Sequence, residues 1–264
     1  MRTSLIITTY NRPDALNLVL QSVENQTIFP NEVIIADDGS TSETTFMIEE
    51  YKTKSNLNII HSWQKDKGFR LARSRNKAIA LAKSDYIIQI DGDMVLHKDF
   101  VSDHIKNASK GFFIQGSRVL LNETLTKKAI KNMVKKFSFF HTGMSNRKNA
   151  IYSNFLSGAL SFSSSKITGL RGCNMSFYKS DFIRVNGYNN LIEGWGREDT
   201  EFVIRLFNIG IKRKNLKFAA IQYHLWHGLE NNKSLKINDQ ILENTLTQTL
   251  IRCDSGVNEL KNEH

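Results

Sequence analysis

The sequence predicts an α/β fold with a mostly parallel central sheet flanked by helices. Three observations carry this. Apolar runs of strand length alternate with helical periodicities from Thr3 to Ile90 in a βαβαβ order, which requires parallel strands and right-handed crossovers. Two of those runs stop at carboxylates, in Asp37-Asp38-Gly39-Ser40 and Asp91-Gly92-Asp93, and ligands on open α/β sheets gather at the carboxyl ends of the strands. The length of 264 residues suits one large domain, with or without an appended subdomain, better than two independent ones.

Taken in order, Thr3 to Thr8 is β-rich, and Asn11-Arg12-Pro13-Asp14 follows with a capping side chain, an early proline and an acidic first turn. Leu16, Val19, Leu20 and Val23 then recur at helical spacing. Val33 to Ala36 is a second strand, Ser40 or Thr41 caps a helix running to about Thr53, and Leu57 to Ser62 is a third strand. Lys67-Gly68-Phe69-Arg70 leads into a helix with Leu71, Ala78, Ile79 and Ala82 on one face. Arg70, Arg73 and Arg75 sit in its first turns, where the helix dipole disfavours cations unless an anion lies nearby; otherwise they form a solvated charged face. Tyr86 to Ile90 is the strand that ends in Asp91-Gly92-Asp93.

The second half predicts a helix over Lys98 to Ser109, a strand over Phe112 to Leu120 and a strongly basic helix from Thr124 to Phe137. Ser138 to Ser165 shows no period and reads as a long loop of the kind that forms lids or binding segments. A short strand around Arg171 to Tyr178, with Gly172 allowing a close approach, precedes a helix over Lys179 to Val185 and a turn at Asn186 to Asn189. Phe202, Val203, Leu206 and Phe207 mark the next helix, and Lys212 to Tyr223 supplies one or two strands. A polar helix over Ser234 to Arg252 and a frayed last dozen residues close the chain.

Chemistry concentrates in four places. Asp91 and Asp93, one residue apart, would repel each other in a cleft unless a divalent cation neutralised them; the alternative is a plain strand-to-turn junction. Asp37 and Asp38 are either turn residues or ligand-binding carboxylates. In Gly194-Trp195-Gly196-Arg197-Glu198-Asp199, Trp195 on a flexible backbone suits stacking against a sugar ring, while Glu198 and Asp199 either cap the following helix or act in chemistry. His224 and His227 follow an apolar strand at i and i+3 and suit a metal already held by carboxylates, or else are structural.

Composition narrows the partners. A net charge of +10 asks for an anionic partner, and nucleic acid, a phosphorylated small molecule and an acidic membrane all qualify. Nucleic acid is disfavoured because no stripe interleaves aromatics with the lysines. No apolar run approaches the roughly 18 residues of a membrane span, and Leu5-Ile6-Ile7 is too short for a secretory leader. The expected location is therefore the cytoplasm. Cys173 and Cys253 are too few for a disulfide framework and read as buried thiols in a reducing compartment.

Ser4 to Arg12, Asp37-Asp38-Gly39-Ser40 and Asp91-Gly92-Asp93, in that order, resemble the nucleotide-sugar half of the family 2 glycosyltransferases, which have the GT-A fold. Arg171 to Leu206 is similar to the acceptor half of the β-1,4-galactosyltransferases and of bacterial chondroitin-polymerase-like enzymes. The resemblance spans about residues 3 to 228 and implies one domain, with a nucleotide-sugar half over 1–95, an acceptor and catalytic half over 96–230 and a helical tail over 231–264. It implies that Thr8, Tyr10, Arg12, Asp38, Arg70, Asp91, Gly92 and Gly172 serve the nucleotide sugar, with Asp38 accepting from uracil. Trp195, Gly196, Asn174 and Glu198 would serve the acceptor, and Asp199 would be the catalytic base. Asp93, with Asp91, would hold Mn²⁺ or Mg²⁺, and His224 and His227 stand where the galactosyltransferases place a methionine and a histidine. The function implied is metal-dependent, inverting transfer of a hexose or N-acetylhexosamine from a UDP-sugar to a glycan or lipid-linked glycan, in bacterial surface polysaccharide or lipooligosaccharide synthesis. The basic helix would bring the enzyme to the inner face of an anionic membrane.

Overall fold

The computed structural model describes residues 1–228 and 235–260. Its first half is four parallel strands, β1 (Thr3–Thr9), β2 (Glu32–Asp37), β3 (Ile59–Trp63) and β4 (Tyr86–Asp91), joined by α1 (Pro13–Val23), α2 (Ser42–Lys54) and α3 (Leu71–Leu81). Strands β1 and β2 are buried along their whole length, as strands covered on both faces must be. Side-chain alternation sends Leu5, Ile7, Val33 and Ile35 to the face packed by Leu16, Val19 and Leu20 of α1. Ile6, Ile34 and Ala36 point the other way, onto Ala72, Ala78 and Ile79 of α3.

After β4 come β5 (Met94–Leu96), α4 (Phe100–Asn107), β6 (Phe112–Gln115), β7 (Arg118–Leu121), α5 (Glu123–Lys131) and β8 (Met144–Ser145). A 3₁₀ turn at Arg147–Ala150 precedes α6 (Asn154–Leu160), β9 (Phe162–Ser164), β10 (Asn174–Tyr178) and α7 (Lys179–Arg184). The described elements end with α8 (Glu198–Asn208), β11 (Lys212–Asn215), β12 (Gln222–His224) and α9 (Leu235–Thr247). The main sheet runs β3-β2-β1-β4-β10-β6-β11-β9, and a second sheet runs β5-β12-β7-β8. Strand β10 is antiparallel to both β4 and β6, so the sheet is parallel through its first half and mixed beyond β4.

Four expectations change. The single strand over Phe112 to Leu120 is two strands in different sheets; the break falls at Gly116, where a Cβ would lie 2.4 Å from the Asn174 amide nitrogen. The basic helix stops at Lys131, because Met133 turns into the left-handed region at φ 48°, and Phe137 packs on Tyr223 beyond it. The stretch read as loop between Ser138 and Ser165 carries β8, a 3₁₀ turn, α6 and β9, whose apolar residues lack a period because many of them face outward. The C-terminal residues do not fray through 260: Cys253, Val257 and Leu260 are buried, and the Asn186 side chain donates to the Cys253 carbonyl at 2.9 Å. Ser234, where the last helix was expected to start, and residues 261–264 lie outside the described residues.

Candidate active site

The carboxyl ends of β1, β2 and β4 open into a cavity of about 880 Å³. At its floor Asp91 closes β4, and Gly92 turns the chain over the end of β1. A Cβ on Gly92 would lie 2.5 Å from the Thr8 carbonyl oxygen, so the turn requires glycine. Asp93 then stands beside β12, whose antiparallel register sets His224 opposite Met94.

The Asp93 Oδ2 accepts from Arg12 Nη1 at 3.0 Å and lies 3.5 Å from Nε2 of both His224 and His227. Asp93 Oδ1 is buried without a hydrogen-bond partner. Burial opposes the Asp93 charge, but the His224 imidazole and the Arg12 guanidinium outweigh it and hold the carboxyl below its ordinary range. One donor atom from each of Asp93, His224 and His227 falls within 4.8 Å of the others. A carboxylate, two imidazoles and an unpartnered buried oxygen fit a divalent cation such as Mn²⁺. Asp91 stands outside that trio; it lines the same cavity, with its Oδ1 accepting from Thr8 Oγ1 at 3.0 Å and from Arg75 Nη2 at 3.1 Å.

On the β2 side the two neighbouring aspartates separate. Asp37 is the turn residue, its Oδ1 accepting from the Ser40 amide at 2.8 Å and its Oδ2 lying 2.9 Å from His61 Nε2. Asp38 lines the cavity and accepts from Gln64 Nε2 and from the Arg70 amide, each at 2.6 Å; burial raises its carboxyl above the ordinary range. Tyr10 also lines the cavity, with its hydroxyl 3.0 Å from Asp66 Oδ2.

Across the cavity, the loop before α8 winds through left-handed conformations at Gly194, Gly196 and Arg197, leaving Trp195 45% exposed on the rim. Asn238 of α9 clamps this loop, donating to the carbonyls of Glu193 and Gly196 at 3.0 Å. Asp199 is not a helix cap. Its Oδ1 accepts from Arg75 at 2.7 Å and its Oδ2 from the Gly172 amide at 2.6 Å. The group that approaches Gly172 is therefore the Asp199 carboxylate, which a Cβ there would meet at 2.0 Å. Burial and the adjacent Asp199 charge raise the Glu198 carboxyl well above its ordinary range.

Arg75 is the functional residue that sequence reasoning missed. It is fully buried and reaches Asp199, Asp91 and, at 3.4 Å, Glu198. Burial alone would weaken its charge, and the carboxylates, Asp199 foremost, more than compensate. The signal was present in the spacing: Arg75 lies four residues from both Leu71 and Ile79, on the inward face of α3 and not on a solvated one.

Two expected site residues lie elsewhere. The Arg70 guanidinium turns back to the Lys65 carbonyl, and only its amide serves the site. Asn174 is buried outside the cavity, its amide nitrogen donating to the Ser117 and Ala220 carbonyls and its oxygen 3.0 Å from His104 Nε2. It braces the β6–β7 break and contacts no ligand space. Burial pushes the Cys173 and Cys253 thiols up to about 12 and about 11, which leaves them protonated and inert.

Comparison with known proteins gives this geometry its family. The family model described as glycosyl transferase family 2 matches residues 4–169. The chain belongs to that family. A second model, the N-terminal domain of galactosyltransferase, matches residues 155–228 of the same family 2 chain, which takes in Gly172, Trp195, Asp199 and both histidines. Among curated proteins it is similar to the chondroitin synthase of Escherichia coli, 28% identical over 84% of this chain and 34% of the relative. It is also similar to the hyaluronan synthase of Pasteurella multocida, 28% identical over 84% of this chain and 24% of the relative. The chain thus spans about a third or less of those relatives' length.

Among solved structures, GalNAc-T7 with UDP, GalNAc and Mn²⁺ superposes with a TM-score of 0.68 at 15% identity, over 92% of this chain and 48% of that one. TarS of S. aureus in complex with UDP does so with a TM-score of 0.60 at 18% identity, over 92% of this chain and 64% of that one. These likenesses establish the GT-A fold.

Proposed function

We propose that the chain is a metal-dependent, inverting glycosyltransferase that moves a hexose or N-acetylhexosamine from a UDP-sugar to a glycan hydroxyl, in the synthesis of a bacterial surface polysaccharide or lipooligosaccharide. One observation carries the reading: Asp93, His227 and the Asp199 carboxylate line a single cavity, and His224 completes a trio of metal-donor atoms with Asp93 and His227. The likeness to TarS in complex with UDP and to GalNAc-T7 with UDP, GalNAc and Mn²⁺ supports it.

In this reading Tyr10, Thr8 and Asp38 flank the nucleoside, with Asp38 accepting from the base. Asp93 and the two histidines would hold the cation, which would supply neutralisation of charge on the leaving diphosphate. Trp195 and Gly196 receive the acceptor sugar, its ring stacked on the indole. Asp199 takes the proton from the attacking hydroxyl as the new glycosidic bond forms and the bond from the anomeric carbon to the phosphate oxygen breaks. Arg75 and the Gly172 amide occupy one lone pair on each Asp199 oxygen, and a carboxylate has about four, so capacity remains for that proton. A raised Glu198 carboxyl holds its own proton and donates to an acceptor hydroxyl. A single in-line displacement needs one base and inverts the anomeric centre.

The test is a screen of UDP-Gal, UDP-GalNAc, UDP-Glc, UDP-GlcNAc and GDP-mannose for Mn²⁺-dependent hydrolysis and for transfer to chondroitin-like and lipid-linked oligosaccharides. Release of UDP from one UDP-sugar, abolished by chelation, is expected. Binding of UDP without release from any donor would leave a nucleotide-sugar-binding protein without turnover and overturn the reading.

A further inference from the structure

The outermost strand of the main sheet, β9, and the helix that leads into it show inverted burial. Of the seven residues of α6, Asn-Phe-Leu-Ser-Gly-Ala-Leu, only Ser157 is buried. Phe155 is 83% exposed, and Leu160 and Phe162 are about half exposed. An exposed apolar group on a sheet edge marks an interaction surface.

Charge says what the surface meets. No acidic residue occurs between Glu123 and Asp181, nor between Glu201 and Glu230, and these are the two stretches that build this edge. β9 runs antiparallel to β11, with Ser163 opposite Lys214 and Phe162 opposite Asn215. The Ser161 hydroxyl accepts from the Lys217 amide at 3.1 Å, tying the α6–β9 turn to an exposed lysine. Lys166, just past β9, and Lys212, at the start of β11, are exposed at the Ser164 end of that ladder. The apolar lip is therefore fringed by cations without acidic neighbours in its own segments. A second copy pairing edge to edge through β9 would set these cations against each other.

We propose that the α6–β9 lip docks on an anionic lipid bilayer, inserting Phe155, Leu160 and Phe162 at the headgroup boundary while Lys166, Lys212 and Lys217 meet lipid phosphates. This moves the membrane contact away from the basic helix. In α5, Ala129 is buried in a core cluster with Val119, Leu121 and Tyr223, and Leu125 and Ile130 pack against that cluster, so that helix presents lysines but no free apolar face. The lip is close to the chemistry along the chain: Ser164 is followed six residues later by Leu170 on the cavity wall, a span of at most about 20 Å. Docking there would present the cavity to a lipid-linked acceptor, a purpose that rests on the proposed function; the binding itself does not.

Co-sedimentation with phosphatidylglycerol–phosphatidylcholine vesicles, against phosphatidylcholine alone, tests this. Wild type is expected to pellet with the anionic vesicles only, and less as salt rises. The double substitution Phe155→Ser, Phe162→Ser should weaken binding by about ten-fold or more, and Lys166→Gln with Lys217→Gln should flatten the salt dependence. All of these positions are on the surface, so melting temperature and hydrolysis of a UDP-sugar in solution should stay at wild-type levels. Phe155→Ser alone repeats the test should the double variant fail to fold. Wild type that does not pellet overturns the proposal, as does equal pelleting by the phenylalanine variants. A dimer by light scattering that Phe155→Ser dissociates, without vesicle binding, would assign the lip to a second copy instead. Vesicle binding without donor hydrolysis would reject the function and leave the docking surface standing.

Discussion

Asp91, at the end of β4, and Asp199, in the first turn of α8, are held by one side chain: Arg75 donates to the first at 3.1 Å and to the second at 2.7 Å. The two halves of the cavity meet at this guanidinium. Removing one member of a buried ionic network leaves the others uncompensated and costs about 3–5 kcal/mol. Arg75→Met should therefore lower unfolding free energy by about that amount in a denaturant titration. Arg75→Lys keeps the charge but lacks the planar fork that serves two carboxylates at once. It should retain more stability and still lose turnover, because Asp199 would no longer be fixed.

The metal trio predicts a graded series. Asp93→Ala should abolish Mn²⁺-dependent UDP binding in calorimetry while leaving the melting temperature close to wild type. His224→Ala and His227→Ala should each raise the Mn²⁺ concentration needed for half-maximal turnover by about 10- to 100-fold, the usual effect of weakening a metal shell. Unchanged metal dependence in both histidine variants would reduce the pair to structural residues.

Gly172→Ala isolates the approach of Asp199. The added Cβ would meet Asp199 Oδ1 at 2.0 Å, so the carboxylate must move and loses the Gly172 amide. Turnover should fall by at least about ten-fold, with donor affinity changed less, since a displaced base affects the reacting geometry first. Steady-state kinetics at saturating donor would show it.

Glu198 makes stability depend on pH. Its carboxyl is raised in the folded chain by burial and by Asp199, so the folded state binds a proton that the unfolded state releases. Its contribution is fully present below the ordinary Glu range and is lost as pH rises through the raised value. Glu198→Gln should therefore flatten the fall in melting temperature between acid and mildly alkaline pH. In kinetics it should weaken acceptor binding more than donor binding.

The first half of the chain was legible because its signals are local. Strands β1, β2 and β4 are apolar runs that end where turn residues begin, and their carboxylates mark the sheet edge without knowledge of any distant partner. The second half is assembled from long-range contacts that sequence spacing does not carry. The Gly116 break answers to Asn174 across the sheet, and Asn186 fixes a C-terminal segment nearly 70 residues away. Arg75 was masked by Arg70 and Arg73, which made one buried cation look like part of a solvated face. Asn174 was misplaced for the opposite reason: it lies beside Gly172 and Cys173 in sequence, but its side chain is taken up by the Ser117 and Ala220 carbonyls and by His104, partners distant in sequence.

The last prediction concerns Asp199 itself. The structure assigns its two oxygens to Arg75 and the Gly172 amide, and α8 has Arg197 as its N-cap with no side-chain cap bond. An Asp199→Asn side chain keeps one oxygen to accept a hydrogen bond, and Arg75 retains Asp91 as a counter-charge. Melting temperature should thus drop by only a few degrees, and UDP-sugar affinity should hold. An amide does not accept the proton of an attacking hydroxyl, so turnover should fall by about 10² to 10⁴, the usual contribution of a positioned general base. Near-normal turnover of Asp199→Asn with the true acceptor would move the base to Glu198, whose substitution by Gln would then be the more damaging of the two.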